Sequence, residues 1–132
     1  MEIKLAVVGS RSFNDYELLK KTLHEFTFQN NFTITSIISG GCRGADSMAE
    51  KYSEENHIDL ITFQADWGRY GKQAGFIRNH DIIKSCDVCL AFYDGLSKGT
   101  AHDINLCSQY NKPCFVYNFI EGCLYQIHDA KS

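Results

Sequence analysis

Proline is nearly absent, with Pro113 the single instance in 132 residues. That excludes a proline-rich linker or polyproline segment. No apolar run reaches the roughly 18 residues that a membrane-spanning helix requires. The opening MEIKLAVVGS leaves no room for a signal peptide. A cytoplasmic protein without a membrane partner is therefore expected. A basic excess is missing too: Lys and Arg total 13 against 16 Asp and Glu, a formal net charge of −3. Non-specific nucleic-acid binders carry the opposite balance, so nucleic acid is not among the expected partners. The common nucleotide signatures are also lacking. GSRSFN has too few glycines for the dinucleotide fingerprint, and GGCRGAD is not GxxxxGK[ST].

Six cysteines in a chain without an export signal suggest reduced thiols. Cys86 and Cys89 form a CxxC, but Cys89 sits in the apolar run DVCLAFY, where a small residue suits a strand. Core packing is the reading adopted for this pair. No second CxxC or HxxxH completes a zinc set, so no metal site is expected.

What is present is ordinary globular material, 44% apolar and 22% charged. The length fits one domain. Short apolar runs at 3–8, 35–38, 60–63, 88–92 and 114–117 read as strands buried on both faces. Helical stripes lie between them: Leu19, Leu23 and Phe26; Ala45, Met48, Ala49 and Tyr52; Phe76, Ile77, His80 and Ile83; Ala101, Ile104 and Cys107. Asn14 with Glu17 resembles a capping box.

This alternation predicts an α/β fold: a single Rossmann-like three-layer domain over residues 1–118. Its parallel sheet has about five strands in the expected order 3-2-1-4-5. That order places a switch point, where ligands bind, between strands one and four. The tail, 119–132, is too apolar to be free and is expected to dock on its own domain or a neighbouring subunit.

All four arginines fall after predicted strands: Arg11, Arg43 and Arg69 in loops, Arg78 on the helix after strand three. A parallel sheet opens these loops onto one rim, and guanidinium groups bind phosphate in bidentate fashion. Glycines mark the same loops, letting backbone N–H groups approach an anion at helix N-termini.

The candidate ligand-binding residues follow loop by loop. Gly9, Ser10 and Arg11 form an anion seat at the switch point. Ser39, Gly40, Gly41 and Gly44 form a second cradle with Arg43, beside Asp46, which either caps a helix or accepts a ribose hydroxyl. Trp67 and Tyr70 offer stacking faces, with Arg69 and Lys72 for phosphates. Arg78 and Asn79 lie one helical turn later. Asp94, Lys98, Gly99 and Thr100 complete the far side, and His102 reads as helix surface or a supporting residue.

Taken together, VVGSRSFNDYELL, ISGGCRGADSMAE, DWGRYGKQAGFIRN and AFYDGLSKGTAHDI resemble the SLOG superfamily of Rossmann-like nucleotide-binding domains. The nearest group is the YspA/cpYpsA-related one, and the likeness spans about residues 5–117. The resemblance implies binding of a nucleotide or nucleotide-derived ligand of the NAD, ADP-ribose or cyclic-nucleotide type.

The more distant LOG-type phosphoribohydrolases carry PGGxGTxxE at the fourth loop. Here SKGTAHD keeps Gly99-Thr100, lacks the PGG segment, and puts Asp103 in place of the glutamate. Asp103 is thus the candidate catalytic residue of an alternative reading, an N-glycosidic hydrolase. The leading expectation is a sensor or sequestering protein, such as a sink for a nucleotide signal in phage–bacterial defence. A homo-oligomer is expected, and Mg²⁺ only as a companion of ligand phosphates.

Overall fold

The computed structural model describes residues 1–128. The chain alternates strand and helix: β1 (Glu2–Gly9), α1 (Tyr16–Asn30), β2 (Thr33–Ser39), α2 (Ala45–Glu55) and β3 (Asp59–Thr62) form the first half. A short helix α3 (Trp67–Tyr70) and a single 3-10 turn (Gly71–Gln73) lead into α4 (Ala74–Ser85). Then come β4 (Val88–Tyr93), α5 (Lys98–Gln109), β5 (Cys114–Asn118) and β6 (Cys123–His128). The sheet order is β3-β2-β1-β4-β5-β6. All pairings are parallel except β5 with β6, which is antiparallel. The expected five-strand order is present and is extended by one strand, drawn from the stretch read as a tail. The last residues of that stretch, 129–132, lie outside the described residues.

Alternate residues of β1 serve opposite layers. Ile3, Leu5 and Val7 join a core with Leu19, Leu23 and Phe26 of α1 and Ala45, Ala49 and Tyr52 of α2. Ala6 and Val8 join a second core with Ile82 and Ile83 of α4 and Leu106 and Cys107 of α5. Period-two alternation therefore makes a central parallel strand apolar throughout. The three-layer, Rossmann-like reading follows directly.

Two helix readings shift. On α4 the buried residues are Ala74, Asn79, Ile82 and Ile83, while Phe76 and Ile77 are exposed. On α5 they are Thr100, Asp103, Leu106 and Cys107. In both helices polar residues occupy the inward face, so an apolar stripe alone misplaces it. The first helix is capped by Asp15, whose carboxylate accepts from Leu18 N at 3.0 Å, rather than by Asn14 with Glu17.

Cys86 and Cys89 are buried, and burial pushes the Cys86 thiol up to about 12. The sulfurs of Cys89, Cys107 and Cys114 pack within 4.8 Å of one another in the second core, a grouping that sequence spacing does not reveal. No helix among the described residues is long and apolar enough to cross a membrane.

Candidate functional site

The C-terminal ends of β1 and β4 lie side by side, with Gly9 opposite Phe92. The loops that follow them, together with the β2–α2 segment and helix α4, line a cavity of about 370 Å³. Ser10 N donates to Phe92 O at 2.9 Å, fastening the first loop to the strand beside it. The Ser10 hydroxyl accepts from Asp94 N at 3.2 Å and from Ser97 Oγ at 2.8 Å. Asp94 Oδ1 accepts from Leu96 N and Ser97 N, each at 2.8 Å, and from Ser97 Oγ at 2.9 Å. Slight desolvation works to raise the Asp94 pKa, but these hydrogen bonds outweigh it and hold the carboxylate below its ordinary range. Asp94 thus builds the β4–α5 loop, and α5 opens at Lys98 with the N–H groups of its first turn beside Gly99 and Thr100 in the cavity wall.

The β2–α2 loop packs against the first loop only because Gly44 has no side chain. Its φ is +82°, and a Cβ there would stand 2.5 Å from Ser10 O and 2.7 Å from Arg11 Cα. Gly40 plays a similar part, since a Cβ would meet Arg78 Nη1 at 2.8 Å and Asp46 Oδ2 at 3.0 Å. Ser39 Oγ accepts from Gly41 N at 3.2 Å, so these two shape the turn.

Arg78 reaches across from α4. Its Nη1 donates to Gly40 O at 2.6 Å and lies 3.6 Å from Cys42 Sγ, and its Nε donates to Asn79 Oδ1 at 3.1 Å. Asn79 therefore presents its Nδ2 as donor to His102 Nδ1 at 3.2 Å, which fixes that ring nitrogen as acceptor. Burial, and His80 beside it, hold His102 below the ordinary imidazole value.

Asp46 and Asp103 lie at the floor of the cavity, 7% and 5% exposed. Burial pushes Asp46 up to about 6, opposed by the Cys42 N–H, which it accepts at 3.2 Å, and by Arg78. Burial, and then Asp46 nearby, push Asp103 well above the usual carboxylate range. Asp103 Oδ1 is inaccessible to solvent and has no hydrogen-bond partner.

A smaller cavity of about 160 Å³ adjoins the first, sharing Arg11, Arg78, Asn79 and Gly99, and adds Trp67, Lys72 and Phe76. Two of the four arginines, Arg11 and Arg78, thus line the cleft. Arg43 and Arg69 are exposed and line neither cavity, and Arg69 stacks on Tyr70 with its guanidinium carbon 5.2 Å from the ring centre. Lys98 and Tyr70 also fall outside both walls. The expected convergence of all four guanidinium groups is therefore reduced to two. Sequence reasoning missed Ser97, Cys42 and Phe76 as wall residues. Ser97 had a signal, a hydroxyl three residues after Asp94 in an Asx-type turn; Cys42 had none.

Two solved structures share this fold. DNA processing protein A (DprA) from Streptococcus pneumoniae superposes with a TM-score of 0.68 at 17% identity, covering 86% of this chain and 49% of that one. DprA from Helicobacter pylori does so with a TM-score of 0.60 at 23% identity, covering 86% and 64%. The chain thus spans about half and just under two thirds of these neighbours. The Helicobacter protein is described as binding single-stranded DNA. That overturns the expectation that nucleic acid is no partner. Net charge speaks to the whole surface and does not by itself exclude a local site for an anionic strand.

The Gene 61 protein of Mycobacterium phage D29 is 31% identical over 105 residues, covering 75% of this chain and 83% of that protein. The model of the YspA, cpYpsA-related SLOG family matches residues 3–70. With half the sequence inside that match and the loops of its first strands forming the cleft, this chain belongs to the YspA, cpYpsA-related SLOG family.

Proposed function

We propose that the chain binds a nucleotide or nucleotide-derived small molecule in the cleft between β1 and β4, as a sensor or sequestering protein. One observation carries this reading: a cavity at the switch point whose wall combines two guanidinium groups, the Gly9–Ser10 turn and the first turn of α5. Phosphate sits against Gly9, Ser10, Arg11, Gly99 and Thr100, with Mg²⁺ as a companion where the ligand carries several phosphates. The base stacks near Trp67, with Lys72 beside it. The absence of disulfides among the described residues suits a cytoplasmic setting, and the phage relative suits a role in defence conflicts.

A second reading takes its support from the Helicobacter neighbour: the same cleft holds one nucleotide of a single-stranded DNA. Calorimetry separates the two, with NAD, ADP-ribose, mono- and cyclic nucleotides in one set and a short oligothymidylate in the other. Heat with the first set at micromolar concentration is expected. Heat with neither at millimolar concentration refutes both. Release of free base during these incubations, abolished by Asp103→Asn, would move the protein to the hydrolase reading. Light scattering tests the homo-oligomer.

A further inference from the structure

Resting on the nucleotide reading above, we infer that the ligand's phosphates are internal. They join two nucleosides, one in each of the two adjoining cavities, so the ligand class is a diphosphate-bridged dinucleotide rather than a mononucleotide. The observation behind this is where the cations stand. The cavities meet at Arg11, Arg78, Asn79 and Gly99. Both guanidinium groups of the cleft and the opening of α5 therefore lie at the junction, with room on either side. A terminal phosphate needs room on one side only.

The two sides differ in charge. The carboxylates of the cleft, Asp46, Asp94 and Asp103, all line the larger cavity. The smaller cavity has none among its described lining residues and adds Lys72 to the two arginines. Repulsion from the carboxylates and attraction to the cations direct phosphate to the junction. Arg78 is set for it. Its Nη1 and Nε are engaged by Gly40 O and Asn79 Oδ1. Its Nη2 is turned toward Gly75 in the wall of the smaller cavity, 3.8 Å from where a Cβ there would stand.

Each side also suits a nucleoside. Trp67 is 53% exposed and Phe76 46%. The Trp67 ring lies over Gly75, with Cη2 3.4 Å from the same Cβ position. Phe76 stands perpendicular to His102, ring centres 4.7 Å apart. Neither ring belongs to either core, so both keep surface open for stacking on a base. The larger cavity, about 370 Å³, falls within the roughly 300–1,000 Å³ of whole small-molecule sites, and a phosphate at its edge leaves most of it empty. Its wall mixes Val8 and Ile82 with the hydroxyls of Ser12 and Thr100, surroundings that suit a neutral unit with apolar faces and polar edges.

Titration calorimetry on the full chain would compare diadenosine diphosphate, diguanosine diphosphate and NAD with ADP, GDP and nicotinamide mononucleotide. ADP carries the same two phosphates as diadenosine diphosphate and more charge, so a preference for the bridged compound cannot come from charge. At least one bridged compound is expected to bind about tenfold or more tightly than any single nucleotide, the contribution of one further stacked base. Trp67 is the single tryptophan, so its emission reports the smaller cavity directly and should be quenched at saturation. Trp67→Ala should lose about tenfold in affinity for the bridged compound and melt as wild type does, because α3 contains no buried residue. A single nucleotide that binds as tightly as every bridged compound overturns the inference and leaves the nucleotide reading standing. So does unchanged Trp67 emission at saturation, or full affinity in Trp67→Ala. Binding of none of these compounds at millimolar concentration, or of an oligothymidylate alone, overturns the nucleotide reading and the inference with it.

Discussion

Replacing Gly44 by alanine tests whether the cleft is held open by the contact of two loops. Gly44 has φ +82° and ψ −132°, a region that costs an L-residue about 1–3 kcal/mol. The added methyl would also stand 2.5 Å from Ser10 O, 2.7 Å from Arg11 Cα and 2.8 Å from Arg11 O. All three are backbone atoms, so no side chain can swing aside and the β1–α1 loop itself must retreat. Overpacking of that kind costs about 1–3 kcal/mol. The expected loss is therefore roughly 2–6 kcal/mol out of the about 5–15 kcal/mol of a typical domain. Urea denaturation measures it. Amide exchange locates it, because Ser10 N (bonded to Phe92 O) and Phe13 N (bonded to Ser10 O at 3.1 Å) should lose protection first. A loss under about 0.5 kcal/mol, with protection at Ser10 and Phe13 unchanged, would refute this account of the cleft.

Asp46 gives a pH signature. Its folded pKa of about 6 lies above its ordinary 3.8, so its contribution is fully present below about pH 4 and is lost as pH rises through 6. The Asp46→Asn variant should accordingly gain on wild type by about 2 kcal/mol between pH 4 and 7, and paired denaturation curves at the two values check it. Asn79→Ala frees both Arg78 Nε and His102 Nδ1. Nucleotide affinity should fall about tenfold in calorimetry, since hydrogen bonds to charged groups contribute about 1.5–3 kcal/mol, while the far-ultraviolet dichroism stays as in wild type. Ending the chain at Asn118 strips β6 from β5 and Phe119 from the Phe13 ring, 4.9 Å away. The bare β5 edge should drive self-association, and a monomer of unchanged stability by light scattering and melting would contradict it.

How much of this was legible in the sequence depended on which force wrote each feature. Buried parallel strands need apolar residues on both faces, so Val7, Ala91 and Val116 announced their elements and the strand order followed from chain connectivity. Gly9-Ser10-Arg11 and Gly99-Thr100 were legible because a turn between a strand and a helix restricts composition sharply. The faces of α4 and α5 were not. Asn79, Thr100 and Asp103 are polar residues turned inward toward the cleft, and periodicity methods count such residues as outside. β6 was missed because Cys123–His128 needs only one partner, β5, and its signal lay in the Gly122 turn (φ +77°) rather than in a long run. The placement of Arg43 and Arg69 outside the cleft depends on loop conformations that no spacing rule encodes.

The antiparallel course of β6 has a practical outcome. Because it runs against its neighbour, it carries the chain from Cys123, opposite Asn118, back to His128, opposite Cys114. That is the end of the sheet where β1 also starts, at Glu2. Both ends of the folded unit therefore emerge on the side away from the mouth of the cleft. A fluorophore, a surface tether or a fused reporter joined beside Glu2 or beyond β6 therefore departs from the end of the sheet opposite the cleft.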